Sequence, residues 1–140
     1  MQELLMMTLE NNIDIVMAVE AEHLDTQYFI SSLRKAGKNF EKKEIMPRQQ
    51  GIVLLAMENI VVSICREEKY FTAYKVHENG KNRLLVVLHL TSAVRCSEIA
   101  RNQRANDLSR VIQKLEESCN AEAKKEGRQE YATVVVGDFN

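Results

Sequence analysis

Three polar residues stand at or near the C-terminal ends of strongly apolar runs. Glu20 follows Ile13–Val19 (IDIVMAV), His89 lies in Leu84–Leu90 (LLVVLHL), and Asp138 follows Tyr131–Val136 (YATVVV) and Gly137. Two carboxylates and an imidazole, brought together, make a site of a definite kind. Carboxylates suit a hard divalent cation, which leaves its other positions to water and phosphate oxygens. With an imidazole beside them, such a set could hold a cation and a phosphate together. Each residue alone has a plainer role: a solvated strand end, a core histidine, a turn residue after glycine. Their common position is what points to chemistry. A strand with no polar face belongs inside a covered sheet, and open α/β sheets bind ligands beyond the carboxyl ends of their strands. Ile13–Val19, Leu84–Leu90 and Thr133–Val136 are therefore expected as central strands of one sheet, converging at one edge.

The elements around these residues follow from periodicity. Met1, Leu4, Leu5 and Leu9 recur at helical spacing, and Asn11-Asn12 is a stop. Asp25 or Thr26 caps a second helix that carries Tyr28, Phe29, Leu33 and Ala36 and ends at Gly37. Residues 38–50 are polar and basic, an exposed loop or edge strand. Gly51–Ala56 and Ile60–Cys65 are short apolar runs, and Tyr70–Val76 alternates. Asn79-Gly80 is a hairpin turn, because both residues tolerate positive φ. A long helix is predicted from Glu98 to Ala123 on a stripe of Ala105, Leu108, Val111 or Ile112, Leu115 and Cys119, followed by a charged loop, Lys124–Glu130.

Composition narrows the function classes. The 140 residues are 45% hydrophobic and 28% charged, which is a globular and not a disordered balance. No apolar run approaches the roughly 20 residues that span a bilayer, and residues 1–10 lack the basic-then-apolar order of a secretory signal. Nineteen Lys and Arg stand against 20 Asp and Glu, for a net charge of −1. Bulk charge therefore gives no attraction to nucleic acid, and any such contact must be local or use metal ions. Cys65, Cys96 and Cys119 form no C-x-x-C pair, so reduced, packed thiols and a cytoplasmic location are expected. Arg95, Arg101 and Arg104 are weak candidates for phosphate contact against a solvated helix face. The basic stretch Lys35, Lys38, Lys42, Lys43 and Arg48 reads as a solvated loop, and His23 and His77 as surface residues. Gly-rich phosphate loops, zinc signatures and nucleophile elbows are absent from the sequence.

The terminal VVVGDFN resembles the G-D-x-N signature of the endonuclease/exonuclease/phosphatase superfamily. That group includes pancreatic-type deoxyribonucleases, apurinic endonucleases, inositol polyphosphate phosphatases and neutral sphingomyelinases. The order of other pieces agrees: Asp14-Ile15-Val16 leading to Glu20, then His89-Leu90, then a helix with Arg101 and Arg104 before the G-D-x-N strand. The resemblance runs along essentially the whole chain. It implies that Glu20 binds metal, Mg²⁺ or Mn²⁺, and that His89 contacts the scissile phosphate. It implies that Asp138 orients or deprotonates the attacking water and that Asn140 holds the phosphate through its amide. The implied activity is Mg²⁺-dependent phosphoester hydrolysis, with phosphodiesters and nucleic acid as the leading substrates and inositol phosphates or phospholipids as rivals.

The same resemblance implies a fold class, α/β in the α+β sense: part of a four-layer α/β/β/α sandwich that takes about 250 residues when whole. Residues 1–140 are expected to be a single partial domain of it. The superfamily's first strand, ending in a metal-binding Asn, has no counterpart before the helix at Met1, and no Ser-Asp-His occurs anywhere in the sequence. The expectation is thus a truncated domain whose open sheet edges favour self-association or a complementing C-terminal half. A non-catalytic binding or assembly fragment of the same fold is the alternative.

Overall fold

The computed structural model describes residues 2–18, 24–43, 53–89 and 97–138, with the backbone alone at His89 and Asp138. The chain divides into two units, Met1–Val61 and Val62–Asn140. The first holds α1 (Gln2–Glu10), β1 (Ile15–Ala18), α2 (Thr26–Lys35), β2 (Phe40–Lys42) and β3 (Val53–Met57). Its local punctuation is legible residue by residue. Asn12 takes the left-handed conformation (φ 51°) just past α1. The Asp25 carboxylate accepts from the Tyr28 backbone N–H at 3.0 Å, which caps α2. Gly37, at φ 88°, closes α2: its own N–H donates to Arg34 O at 3.0 Å and that of Lys38 to Leu33 O at 2.9 Å. Phe29, Leu33, Phe40, Leu55 and Val16 form the unit's core, with Leu4, Leu5 and Leu9 of α1 packed on it.

The strands of this unit pair in the order β1-β3-β2, all antiparallel. The central position goes to β3, whose Leu54, Leu55 and Ala56 are fully buried. The expectation that Ile13–Val19 shares a sheet with the later apolar strands is corrected here. β1 is only four residues long and ends the order of its own three-stranded sheet. Its apolar character comes from packing beside α2 and β3, which does not require a central place.

The second unit holds all but the first residue of β4 (Val61–Glu67), then β5 (Phe71–Glu78), β6 (Lys81–His89), α3 (Glu98–Lys125) and β7 (Tyr131–Asp138), with the strands in the order β4-β5-β6-β7. Asn79 (φ 50°) and Gly80 (φ 76°) make the two-residue turn between β5 and β6, whose register begins at Glu78 opposite Lys81. The alternation read in Tyr70–Val76 is corrected: Phe71, Thr72, Ala73 and Tyr74 are all buried. Thr72 sits where the pattern expects solvent, because both faces of β5 are covered. Leu108, Cys119 and Ala123 of α3 join Phe71, Ala73, Leu84, Val86 and Leu88 in one core, with Val111, Ile112 and Leu115 packed against it. Ala105 is exposed and drops out of the expected stripe. Ser97 caps α3 through its hydroxyl, 3.2 Å from the Ala100 N–H. The helix runs to Lys125, into the stretch read as a loop, and stops at Gly127 (φ 70°), beyond which the Arg128 N–H reaches Ala123 O at 2.7 Å.

Among the described residues there are thus three helices and two sheets, a mixed α+β architecture. None of these helices is long and apolar enough to cross a membrane.

Candidate active site

β6 and β7 are neighbouring parallel strands, joined through α3. Three side-chain contacts fix where β7 begins. Asn120 of α3 accepts from the Tyr131 N–H at 2.6 Å and donates to Tyr131 O at 3.5 Å, so one amide holds both backbone groups of the first strand residue. Glu116 of α3 accepts the Thr133 hydroxyl hydrogen bond. Asn82 of β6 donates to Gln129 O at 2.8 Å and is itself held by His77. These contacts set Tyr131 opposite Asn82, and the register then runs residue for residue to the other end.

At that other end, Leu88 stands opposite Gly137 and His89 opposite Asp138. Neighbouring strands lie about 4.8 Å apart, so two of the expected site residues are one strand spacing apart along the backbone. The glycine between the valine run and Asp138 is a steric requirement. A Cβ at Gly137 would lie 2.2 Å from Leu88 O and 2.8 Å from Leu88 N, and the residue's φ of 134° is one that side chains rarely adopt. Only glycine lets β7 approach β6 this closely just before the carboxylate residue.

The other expected site residues fare differently. Glu20 and Asn140 lie outside the described residues, as do His23, Arg48, Arg95 and Cys96. Arg104 stacks its guanidinium 4.4 Å from the centre of the Tyr70 ring. Arg101 has a buried Nε with no hydrogen-bond partner among the described residues. Tyr70, Gln103, Arg104 and Asp107 line an open groove of about 320 Å³ beside α3. The basic stretch is partly structural: Lys38 donates to Ile13 O at 2.9 Å, and Lys43 pairs with Glu41 at 2.6 Å.

Among the described residues no three His, Cys, Asp or Glu side chains gather as a group that could hold a metal. The expected ligand, Glu20, lies outside them.

Reasoning from sequence missed the residues that set the register. Asn120, Glu116 and Asn82 sit at no motif spacing; the one available cue is that Asn120 and Glu116 are polar residues one turn apart on α3 shortly before the last strand. Titration is perturbed away from this edge. Tyr74 is pushed up to about 12 by burial and then by the nearby Glu67. Cys119 is pushed up to about 11 by burial and then by Cys65.

No protein-family model and no curated protein sequence matches the chain. Solved structures do. That of truncated Caenorhabditis elegans TDP2 superposes with a TM-score of 0.60 at 16% identity, over 99% of this chain and 54% of that one. D. rerio TDP2 complexed with single strand DNA product gives 0.56 at 17% identity, over 99% and 52%. A D. rerio TDP2 humanized by 14 mutations gives 0.56 at 16%, over 99% and 54%. At these identities the likeness is one of fold, and the chain spans about half the length of each of these structures.

Proposed function

We propose that this chain, whose fold is that of the endonuclease/exonuclease/phosphatase superfamily, hydrolyses phosphodiester bonds, with Asp138 and His89 as its central catalytic residues. The observation that carries this reading is the parallel register that pairs His89 with Asp138 at the C-terminal ends of β6 and β7. Ligand sites in sheets of this kind form beyond such ends. Phosphoester hydrolysis needs an in-line water and neutralisation of the phosphate oxygens, so positioning and electrostatics dominate. In this reading Asp138 takes the proton of the attacking water. His89 donates to a phosphate oxygen as charge develops, and Asn140 holds a second oxygen through its amide. Arg101 has a donor with no partner among the described residues, which suits a phosphate, whereas Arg104 is already held over Tyr70.

Mg²⁺, or Mn²⁺ in its place, belongs to the proposal, with Glu20 as the residue that would hold it. When bound, such an ion neutralises phosphate charge and lowers the pKa of a water. Nucleic acid is the proposed substrate class. The support is that one of the similar structures is complexed with single-strand DNA product. Since the net charge is −1, the contact would be confined to the site and would depend weakly on salt. A cytoplasmic setting is proposed from the odd number of cysteines and the lack of a C-x-x-C pair. The test is hydrolysis of single-stranded DNA, RNA and a small phosphodiester, each with Mg²⁺ and with EDTA. Metal-dependent cleavage of DNA ahead of the others supports the reading, and preferential cleavage of an inositol phosphate or phospholipid would reassign the substrate.

One observation favours a second reading, a binding or assembly unit without catalysis. β7 ends its sheet's order among the described residues with Val134 and Val135 exposed at 43% and 40%, and the chain covers about half of each similar structure. Such an edge would take a further strand, and the occupant we favour is a polypeptide supplying the rest of the fold. Co-expression with the C-terminal half of a TDP2 tests it: formation of a one-to-one complex supports the reading, and separate elution sinks it.

A further inference from the structure

We propose that Cys65 and Cys119 form a dithiol pair that closes to an intramolecular disulfide when a small-molecule disulfide such as oxidised glutathione is present. The two sulfurs are 3.8 Å apart although the residues are 54 positions apart in sequence. They come from different elements, Cys65 from β4 and Cys119 from α3. Bond formation needs a closure of less than about 2 Å, to the usual S–S length near 2.05 Å. The pair lies in the core of the second unit, where Cys119 is buried and Cys65 is packed against it but half-exposed. This inference stands apart from the phosphodiesterase reading, since it uses none of the residues of that site.

The exposure difference orders the chemistry. Cys65 is the thiol that an incoming molecule can reach. Its thiolate attacks one sulfur of oxidised glutathione, which forms a mixed disulfide and expels one glutathione thiolate. Cys119 then releases its proton to solvent, and its sulfur attacks the Cys65 sulfur, which expels the second glutathione thiolate. Two protein thiols are oxidised to one disulfide, one glutathione disulfide is reduced to two glutathione thiolates, and the two protons lost by the protein are taken up by these to give two glutathione molecules. Cys119 suits the second role, because burial and the neighbouring Cys65 hold its proton to about pH 11, so it is a poor first nucleophile. Lys75 and Glu122, paired at 3.8 Å, are the charged groups beside it; the lysine favours and the carboxylate opposes the thiolate.

Closure would tie β4, which ends the sheet's order, to the helix whose Asn120 and Glu116 set the start of β7. A cross-link over this separation restricts the unfolded chain and should raise the thermal midpoint by roughly 10 °C.

The test uses the full chain with Cys96→Ser, so that the pair holds the only thiols. It is exposed to oxidised glutathione, blocked with N-ethylmaleimide and digested without reductant. The expected result is a cross-linked peptide containing Cys65 and Cys119, two hydrogens lighter than the sum of its parts. The expected rise in thermal midpoint is reversed by dithiothreitol and is lost in both Cys65→Ser and Cys119→Ser. Recovery of both thiols as maleimide adducts, of Cys65 only as its glutathione adduct, or of cross-links only between chains would overturn the proposal.

Discussion

Among the described residues, β4 and β7 end the order of the second unit's sheet, and they are built to opposite specifications. β4 carries Ser63, Arg66 and Glu67 among its apolar residues and is mostly exposed, with Arg66 paired to Glu68 at 2.7 Å. Charged, half-polar strands of this kind resist pairing with other chains. β7 has Tyr131, Val134, Val135 and Val136 and no charge before Asp138, yet it too ends the order among the described residues. It has the composition of a covered central strand in an outer position. Among the described residues, β4 has the composition of an exposed edge strand and β7 that of a covered one. The candidate site lies at the C-terminal end of β7, whose register against β6 is set residue for residue.

If that difference is real, perturbing β7 should cost more than perturbing β4. The largest effect is expected from Gly137→Ala, which drives a Cβ into Leu88 O at 2.2 Å. It should separate β7 from β6 beside His89, cost about 3 kcal/mol or more in a urea titration, and abolish any hydrolysis. Asn120→Ala comes next. It strips both backbone partners from Tyr131 and should cost about 2 kcal/mol while leaving the β4 side intact by amide exchange.

Alkali probes the β4 side instead. In the reduced protein, the unfolded chain releases the Cys119 and Tyr74 protons near pH 9 and pH 10, and the folded chain only near 11 and 12. Both folded values are raised, so their contribution to stability is complete below pH 9 and is lost as pH rises toward 12. Unfolding midpoints measured from pH 8 to 12 should fall across that window, and Tyr74→Phe should flatten the upper part.

The smallest effect on stability, within about 1 kcal/mol, is expected from a lysine on either edge. Val135→Lys should nonetheless weaken co-elution with a co-expressed C-terminal half of a TDP2, whereas Val61→Lys on β4, where Val61 is already 60% exposed, should not change it. Equal behaviour of the two variants would erase the contrast.

How much of this could be read from residue order depends on which force fixes each feature. Turns and caps were legible because they are local. Asn79-Gly80, Asp25, Gly37 and Asn12 each act through their own backbone or that of a neighbour a few residues away. The end of α3 is also local, but Gly127 stands in a charged stretch that hides the stop, so the apolar stripe predicts an end at Ala123, two residues short of the observed end at Lys125. Sheet membership was not legible. An apolar strand looks the same whether it is central, like β6, or outer, like β1 and β7, because burial depends on what the rest of the fold lays over it. For the candidate site, the pairing of His89 with Asp138 followed from the rule that such strand ends converge. The contacts that enforce it, Asn120 to Tyr131 and Glu116 to Thr133, join residues 11 and 17 positions apart and leave no periodic trace.

The central claim is that the pair His89 and Asp138 is a hydrolytic site. It is tested most directly by the rate of Mg²⁺-dependent cleavage of single-stranded DNA by the wild-type chain beside Asp138→Ala, with thermal midpoints recorded for both. The account predicts measurable cleavage by the wild type and a loss of at least about a hundredfold in Asp138→Ala, at an unchanged midpoint. Equal rates in the two proteins, or no cleavage of any phosphodiester by the folded wild type, would contradict it.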